Sequence, residues 1–481
     1  MQKVTKKRMF AAVVLAALLA LFLLFAGCSV VEPDRTVTGI ARAGSNIVVT
    51  YSDGTTETID TVSTADVSAQ ELYEYYKEVY GEDDLTYADF LKLYLSAESD
   101  NSSVIGQTLL SSVKLYTEFY ETVTTSNFWG RPEQIKQAAV YTGSGVIYKV
   151  EEEYTYIITN YHVVYSATAN TDNAEDNPGG QNIAHYIACY LYGSEGSPAQ
   201  TNSTQNGYPV YNYGSYAVDC EYVGGSLTKD IALVRCKTAD LLAIREDLRP
   251  VTFADGYHVG ETAIAIGNAE DEGISVTEGI VSVASEEINL KIDNTTRSYR
   301  SLRIDTAIYG GNSGGGLFNV EGELIGITNA GDEEDQNINF AIPVEIVQGV
   351  ADNIYYYATD GDDSTVGAYT ISLGITRNGL DTNSRYVYDS VSGYGKIVED
   401  ITVSDANSLA KEAGVQAGDM LKELTIDGVV YELDCYYDIT DALLNVRPGS
   451  TLTITYLRDG QTYTSDAVTV STDVDDLTQV A

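Results

Sequence analysis

Residues 309–318 read YGGNSGGGLF, one serine set among five glycines. Glycine and serine together ordinarily mark a loop, so Ser313 alone says little. Its company along the chain changes the reading. Residues 159–164 read TNYHVV around His162, and residues 228–234 read TKDIALV around Asp230. A serine hydroxyl is a weak nucleophile near neutral pH. It needs an imidazole to take its proton and a buried carboxylate to hold that imidazole in one tautomer. The chain order His, Asp, Ser is one of three that build such a triad. His162 is thus the candidate general base, Asp230 its orienting partner and Ser313 the nucleophile. The remaining histidines, His185 and His258, sit in no matching motif and read as structural.

The text around these residues is strand-like. GSGVIYKV, TYIITNYHVV, DIALVRC, ETAIAIG, GIVSVASEEI, SLRIDTAI, GGGLFN and GELIGITNAG are short apolar runs separated by turn residues, the pattern of a β barrel or sandwich. Two segments read as interruptions: residues 121–138, with the lone Trp129, and a polar insertion from about Ser166 to Tyr213. A helix is expected within NFAIPVEIVQGVADNIYYYA, and the polar run TDGDDSTVG reads as a linker. Beyond it, strands such as TLTITYL mix with helical stretches near Ala406–Glu412 and Tyr437–Asn445.

Taken together, GSGVI, ITNYHVV, KDIALV, AIAIGN, TEGIVS, IDTAIYGGNSGGGLFN, EGELIGI and NFAIP resemble the HtrA/DegP family of extracytoplasmic serine proteases. The resemblance implies a mainly β chain whose two-barrel, chymotrypsin-like domain spans 108–357. A linker (358–367) and a small α+β PDZ domain (368–473) would follow, with a short tail at 474–481. The PDZ expectation rests on LGI at 373–375, AKEAGVQAGDMLKELTIDG and RPGSTLTITYLRDG. By the same resemblance, the backbone N–H groups of Gly311 and Ser313 form the oxyanion hole, and Leu373, Gly374 and Ile375 take the carboxylate of a C-terminal peptide. The implied substrates are misfolded or unfolded envelope proteins. The implied assembly is a homotrimer, and no metal or organic cofactor is called for. The rival reading is a catalytically silent peptide-binding chaperone or signalling adaptor. Two departures stand out: Gly310 precedes GNSGG where the family has proline or a polar residue, and GNAEDEG (267–273) replaces the usual GNPFG loop. The acidic GDEEDQN (331–337) follows the strand expected to line the specificity pocket.

The N-terminus bounds location. Residues 1–27 carry Lys3, Lys6, Lys7 and Arg8 and then an uncharged apolar run, the grammar of an export signal. LFAGC before Cys28 resembles a lipoprotein box, so Cys28 is the candidate lipidation site; an uncleaved anchor is the alternative. Either arrangement tethers the chain to the membrane with the remainder on the extracytoplasmic face. Residues 28–107 read as an accessory module: a small strand hairpin or meander over 38–61, then short helices starting at Ser68 and Thr86. With 70 acidic against 28 basic residues the net charge is −42, and the first 27 residues hold four of those bases and no acid, so the remainder stands at −46. Such a surface repels phosphate backbones, which argues against nucleic acid as a partner. The four further cysteines, Cys189, Cys220, Cys236 and Cys435, show no metal-ligand spacing.

Overall fold

The runs TYIIT and IALV lack polar alternation because both faces of these strands are buried. Ile157, Ala232 and Val234 point into a barrel interior, while Tyr156, Ile158, Ile231 and Leu233 point outward into a second core. A strand sandwiched this way reads as continuously apolar. The computed structural model describes residues 37–43, 46–51, 56–60 and 101–480, apart from 128, 172–175, 293, 332–336, 362–366, 378–382 and 389–393. The export segment, Cys28, the helices expected from Ser68 and Thr86 and most of the acidic 331–337 run lie outside these residues. Among the described residues no helix is long and apolar enough to cross a membrane.

Two units make up the chain, residues 1–100 and 101–481. In the first, β1 (Val37–Ala43), β2 (Asn46–Tyr51) and β3 (Thr56–Asp60) form an antiparallel meander, where alternation and turn residues place one.

The second unit begins with helix α1 (Ser102–Thr108). Strands β4 (Ser112–Ser126), β5 (Pro132–Val150), β6 (Tyr154–Thr159), β7 (Tyr186–Leu191), β8 (Ala199–Gln205), β9 (Tyr208–Asn212), β10 (Val218–Ser226) and β11 (Ile231–Lys237) follow. Six of them close a barrel in the order β10-β11-β6-β5-β4-β7, with β8 and β9 forming a separate hairpin. Both expected interruptions are corrected here. Residues 121–138 extend the β4–β5 pairing without a break from Ser126↔Pro132 down to Glu121↔Gln137. The 166–213 insertion supplies β7, which pairs with β4 and with β10 and so closes the barrel. The apolar run YIACYL is the local signal for that strand, but it sits in polar text.

A second sheet holds β12 (Thr252–Phe253), β13 (Thr262–Gly267), β14 (Ser275–Lys291), β15 (Thr296–Ile304), β16 (Gly316–Phe318), β17 (Glu323–Gly331) and β18 (Asn339–Pro343). Its order is β12-β17-β16-β13-β14-β15-β18, and a further β17–β18 pairing closes it into a second barrel. Two short helices add side chains to the interior core of the first barrel: α2 (Tyr161–Val164), which follows β6, and α3 (Thr238–Leu242), which follows β11. Helix α4 (Val344–Thr359) then buries Ile346, Val347, Val350, Ala351 and Ile354, an i, i+3, i+4, i+7 stripe, in one core with the outward side chains of β6 and β11.

Beyond α4, a five-stranded sheet with helices α5 (Ser408–Glu412) and α6 (Tyr436–Ala442) encloses its own core of Leu421, Leu424, Ile426, Leu452 and Ile454. The helices fall where the sequence places them. The last residues do not trail away as a tail: Thr478–Gln479 pair with Tyr369–Thr370, Leu477 joins this core, and Val480 is buried with the α4 side chains.

Candidate active site

Asp230 ends the β10–β11 connection at a left-handed φ of 52°, a conformation that aspartate tolerates better than most residues with a Cβ. The surroundings hold it there. Its carbonyl accepts from Asn160 Nδ2 at 2.9 Å and from the Tyr161 N–H at 3.2 Å. Its carboxylate, fully buried, accepts from the His162 N–H at Oδ1 (2.9 Å) and faces His162 Nδ1 at Oδ2 (2.8 Å). A carboxylate can only accept, so Nδ1 carries the proton and Nε2 is left as the free base. Burial disfavours the imidazolium, yet the charge and hydrogen bond of Asp230 outweigh it and hold the His162 pKa above its ordinary value.

Ser313 lies on the turn before β16. Its carbonyl accepts from the Ser144 N–H at 2.9 Å, and its Oγ donates to the Asn329 carbonyl at 3.1 Å. His162 and Asp230 are thus brought together as a bonded pair, while the Ser313 hydroxyl is engaged by β17 and not by the imidazole. Two glycines beside it are required by space. Gly311 has φ +94° and a Cβ there would lie 2.2 Å from Asn268 O; Gly314 has φ +85° and would meet Ser144 O at 2.2 Å. Gly310 has open space around it, so its departure from the family pattern removes no contact. The N–H groups of Gly311 and Ser313 donate to no group among the described residues, whereas those of Asn312, Gly314 and Gly315 are all bonded.

Residues that the motifs do not single out complete the site. Ser144 Oγ donates to Gly311 O at 2.7 Å and accepts from the Asn268 N–H at 2.8 Å. The Asn329 carboxamide is buried and unpartnered among the described residues. No local signal marks these roles, because each depends on which strands meet. His185 stacks on Tyr120 and His258 on Tyr394, both outside this cluster. In the C-terminal unit Leu373 is buried in the core. Gly374 (φ +79°) accepts from the Asn407 N–H at its carbonyl and donates to Ser372 Oγ at 3.2 Å, and Ile375 opens a strand paired to Val403–Ala406.

Residues 143–327, which contain all three candidate catalytic positions, match the trypsin-like peptidase domain family. The chain is also 28% identical over 339 residues to the serine protease Do-like HtrA of Lactococcus lactis subsp. cremoris, covering 67% of this chain and 69% of that protein. Two further relatives are HtrB of Bacillus subtilis (28% over 331 residues, 67% and 61%) and the periplasmic serine endoprotease DegP of Escherichia coli K12 (28% over 331 residues, 68% and 56%). The chain is an HtrA-like serine protease. As a serine endopeptidase it cleaves internal peptide bonds. The two closed barrels of this HtrA-like protease are the chymotrypsin-like architecture that such chemistry uses, with the His162–Asp230 pair on the first barrel and Ser313 on the second.

Proposed function

We propose that His162, Asp230 and Ser313 are the catalytic triad of a membrane-tethered, extracytoplasmic endopeptidase that removes misfolded or unfolded envelope proteins. The observation that carries this reading is the His162–Asp230 pair, in which a buried carboxylate holds both the backbone N–H and the imidazole of His162 and leaves Nε2 as the base. The Ser313 hydroxyl must leave Asn329 O before that base can take its proton. Its oxygen then attacks the peptide carbonyl, the carbonyl oxygen gains negative charge, and the N–H groups of Gly311 and Ser313, which donate to nothing among the described residues, stabilise it. His162 returns the proton to the leaving amine. Water, activated by the same imidazole, releases the acyl group from Ser313.

Cys28 anchors the chain through lipid in this proposal, and the Leu373–Gly374–Ile375 loop of a PDZ domain binds extended C-terminal peptides by strand addition. The long Gly374 N–H bond to Ser372 Oγ is the contact a carboxylate would displace. Substrate class and a trimeric state come from the likeness to HtrA relatives. The test is cleavage of unfolded casein and labelling by a fluorophosphonate, with and without a C-terminal peptide activator. Wild type should do both, and Ser313→Ala neither. Equal cleavage by the two proteins would sink the triad assignment.

A further inference from the structure

An oxyanion donor needs a fixed direction as well as a free N–H. In a trans peptide the C=O and N–H point opposite ways, so whatever holds the Gly310 carbonyl also aims the Gly311 N–H. Here that holder is the Glu270 N–H, which donates to Gly310 O at 2.7 Å. Glu270 and Asp271 are successive left-handed residues, with φ of 52° and 64°. Residues with a Cβ persist in that conformation only where their surroundings over-determine it.

The Asp271 carboxylate supplies those surroundings. Its Oδ1 is 2.8 Å from Lys114 Nζ and accepts from Tyr116 Oη at 2.6 Å, from Thr142 Oγ1 at 3.2 Å and from Asn268 Nδ2 at 3.3 Å. Lys114 Nζ also reaches the Asp271 carbonyl at 3.5 Å. Lys114 lies on β4 of the first barrel with its side chain only 2% exposed, whereas that of Asp271 is 41% exposed. A lysine is almost never sealed from water unless paired, so the Asp271 contact accounts for its presence in the barrel wall. The same turn braces Gly311 directly: Asn268 O fills the space where a Cβ would stand, and Asn268 Oδ1 accepts from the Gly273 N–H at 2.9 Å to close the loop.

We propose that Asp271 is a positioning residue for catalysis: clamped by Lys114, it holds the 268–273 turn so that the Glu270 N–H fixes the Gly310–Gly311 peptide with its N–H aimed at the substrate carbonyl. This rests on Gly311 and Ser313 being the oxyanion donors. Loss of the clamp lets that peptide rotate, which weakens transition-state binding and leaves ground-state binding alone.

The test uses the full chain and a chromogenic peptide taken from a mapped casein cut site. Asp271→Ala should lower kcat by about 10- to 100-fold with KM within about twofold, since a misaimed donor costs somewhat less than a deleted one. Inhibition by a peptidyl trifluoromethyl ketone, whose adduct places an oxyanion in the hole, should weaken by the same factor. Lys114→Met should act in the same direction. Asp271→Asn, which keeps an acceptor but loses the charge, should fall between. A folded Asp271→Ala with kcat and inhibitor affinity within twofold of wild type would overturn the proposal, as would a loss confined to KM. If that variant does not fold, unchanged kcat in both Asp271→Asn and Tyr116→Phe overturns it instead. Ser313→Ala separates the two readings: activity surviving in it refutes the triad, whereas a dead Ser313→Ala beside a fully active Asp271→Ala refutes only the positioning role.

Discussion

The Asp230 carboxylate accepts from two donors of one residue, and this ties together the position, tautomer and basicity of His162. Its charge holds the imidazole pKa up, and a general base works only when neutral. Activity should therefore climb with pH along a limb centred above the ordinary histidine value of about 6.5. Asp230→Asn removes the charge and permits the wrong tautomer, so kcat should fall by about 10³- to 10⁴-fold and the limb should move to lower pH. A pH–rate profile of both proteins checks this; an unmoved limb would show that another group titrates. The stability contribution of the pair has the matching sign. It is fully present below the unfolded-state pKa and is lost as pH rises through the folded-state one.

Helix α4 is the element that joins the barrels to the C-terminal unit, and its composition shows how. Its apolar stripe covers β6 and β11, while Gly349 leaves room for Leu444, which would stand 2.9 Å from a Cβ there. Asn353, fully buried, donates from Nδ2 to the carbonyls of Tyr369 and Leu444, both at 2.7 Å, and accepts from the Tyr369 N–H at 2.8 Å. One side chain thereby satisfies three backbone groups across the join. Asn353→Ala orphans them at about 1–3 kcal/mol each, offset by water where it enters, so a loss of about 2–4 kcal/mol is expected. Urea denaturation measures it, and a change below about 1 kcal/mol would mean that water replaces the amide freely.

Across the whole molecule the join also carries charge. Arg300 on β15 pairs with Glu345 on α4 and with Asp441 on α6, each at 2.5 Å, and its guanidinium lies 3.9 Å from the Tyr437 ring centre. Burial pushes the carboxyls of α6 upward, Asp441 to about 6 and Asp438 to about 7, with Arg300 pulling the other way. A carboxyl with a raised folded-state pKa favours folding when protonated. That contribution is fully present below about pH 4 and is lost as pH rises through 6 to 7. Asp438→Asn should thus match wild type in stability at pH 4 and exceed it by on the order of 2 kcal/mol above pH 7. Denaturation midpoints across that range test the sign, and a gap that does not widen with pH would refute it.

Much of this was readable from local text. Strand runs such as ETAIAIG and GELIGITNAG carry their own periodicity, α4 its own stripe, and TNYHVV, TKDIALV and GGNSGG each announce a residue type that serine chemistry needs. What sequence could not show is whatever depends on which strands meet. The β7 strand hides in polar text and gains its meaning only by closing a barrel between β4 and β10. Lys114 reads as one of several polar residues in a mixed strand and Asp271 as one acid in an acidic loop, yet they lie 2.8 Å apart. The amino-acid order by itself determined most of the barrel-forming strands and the three candidate catalytic residue types, because periodicity and turn chemistry act over a few neighbours. The tertiary structure alone decided the burial of Asp230, the aim of the Gly311 N–H and the Lys114–Asp271 clamp, because desolvation and hydrogen-bond direction are set by chain segments far apart in sequence.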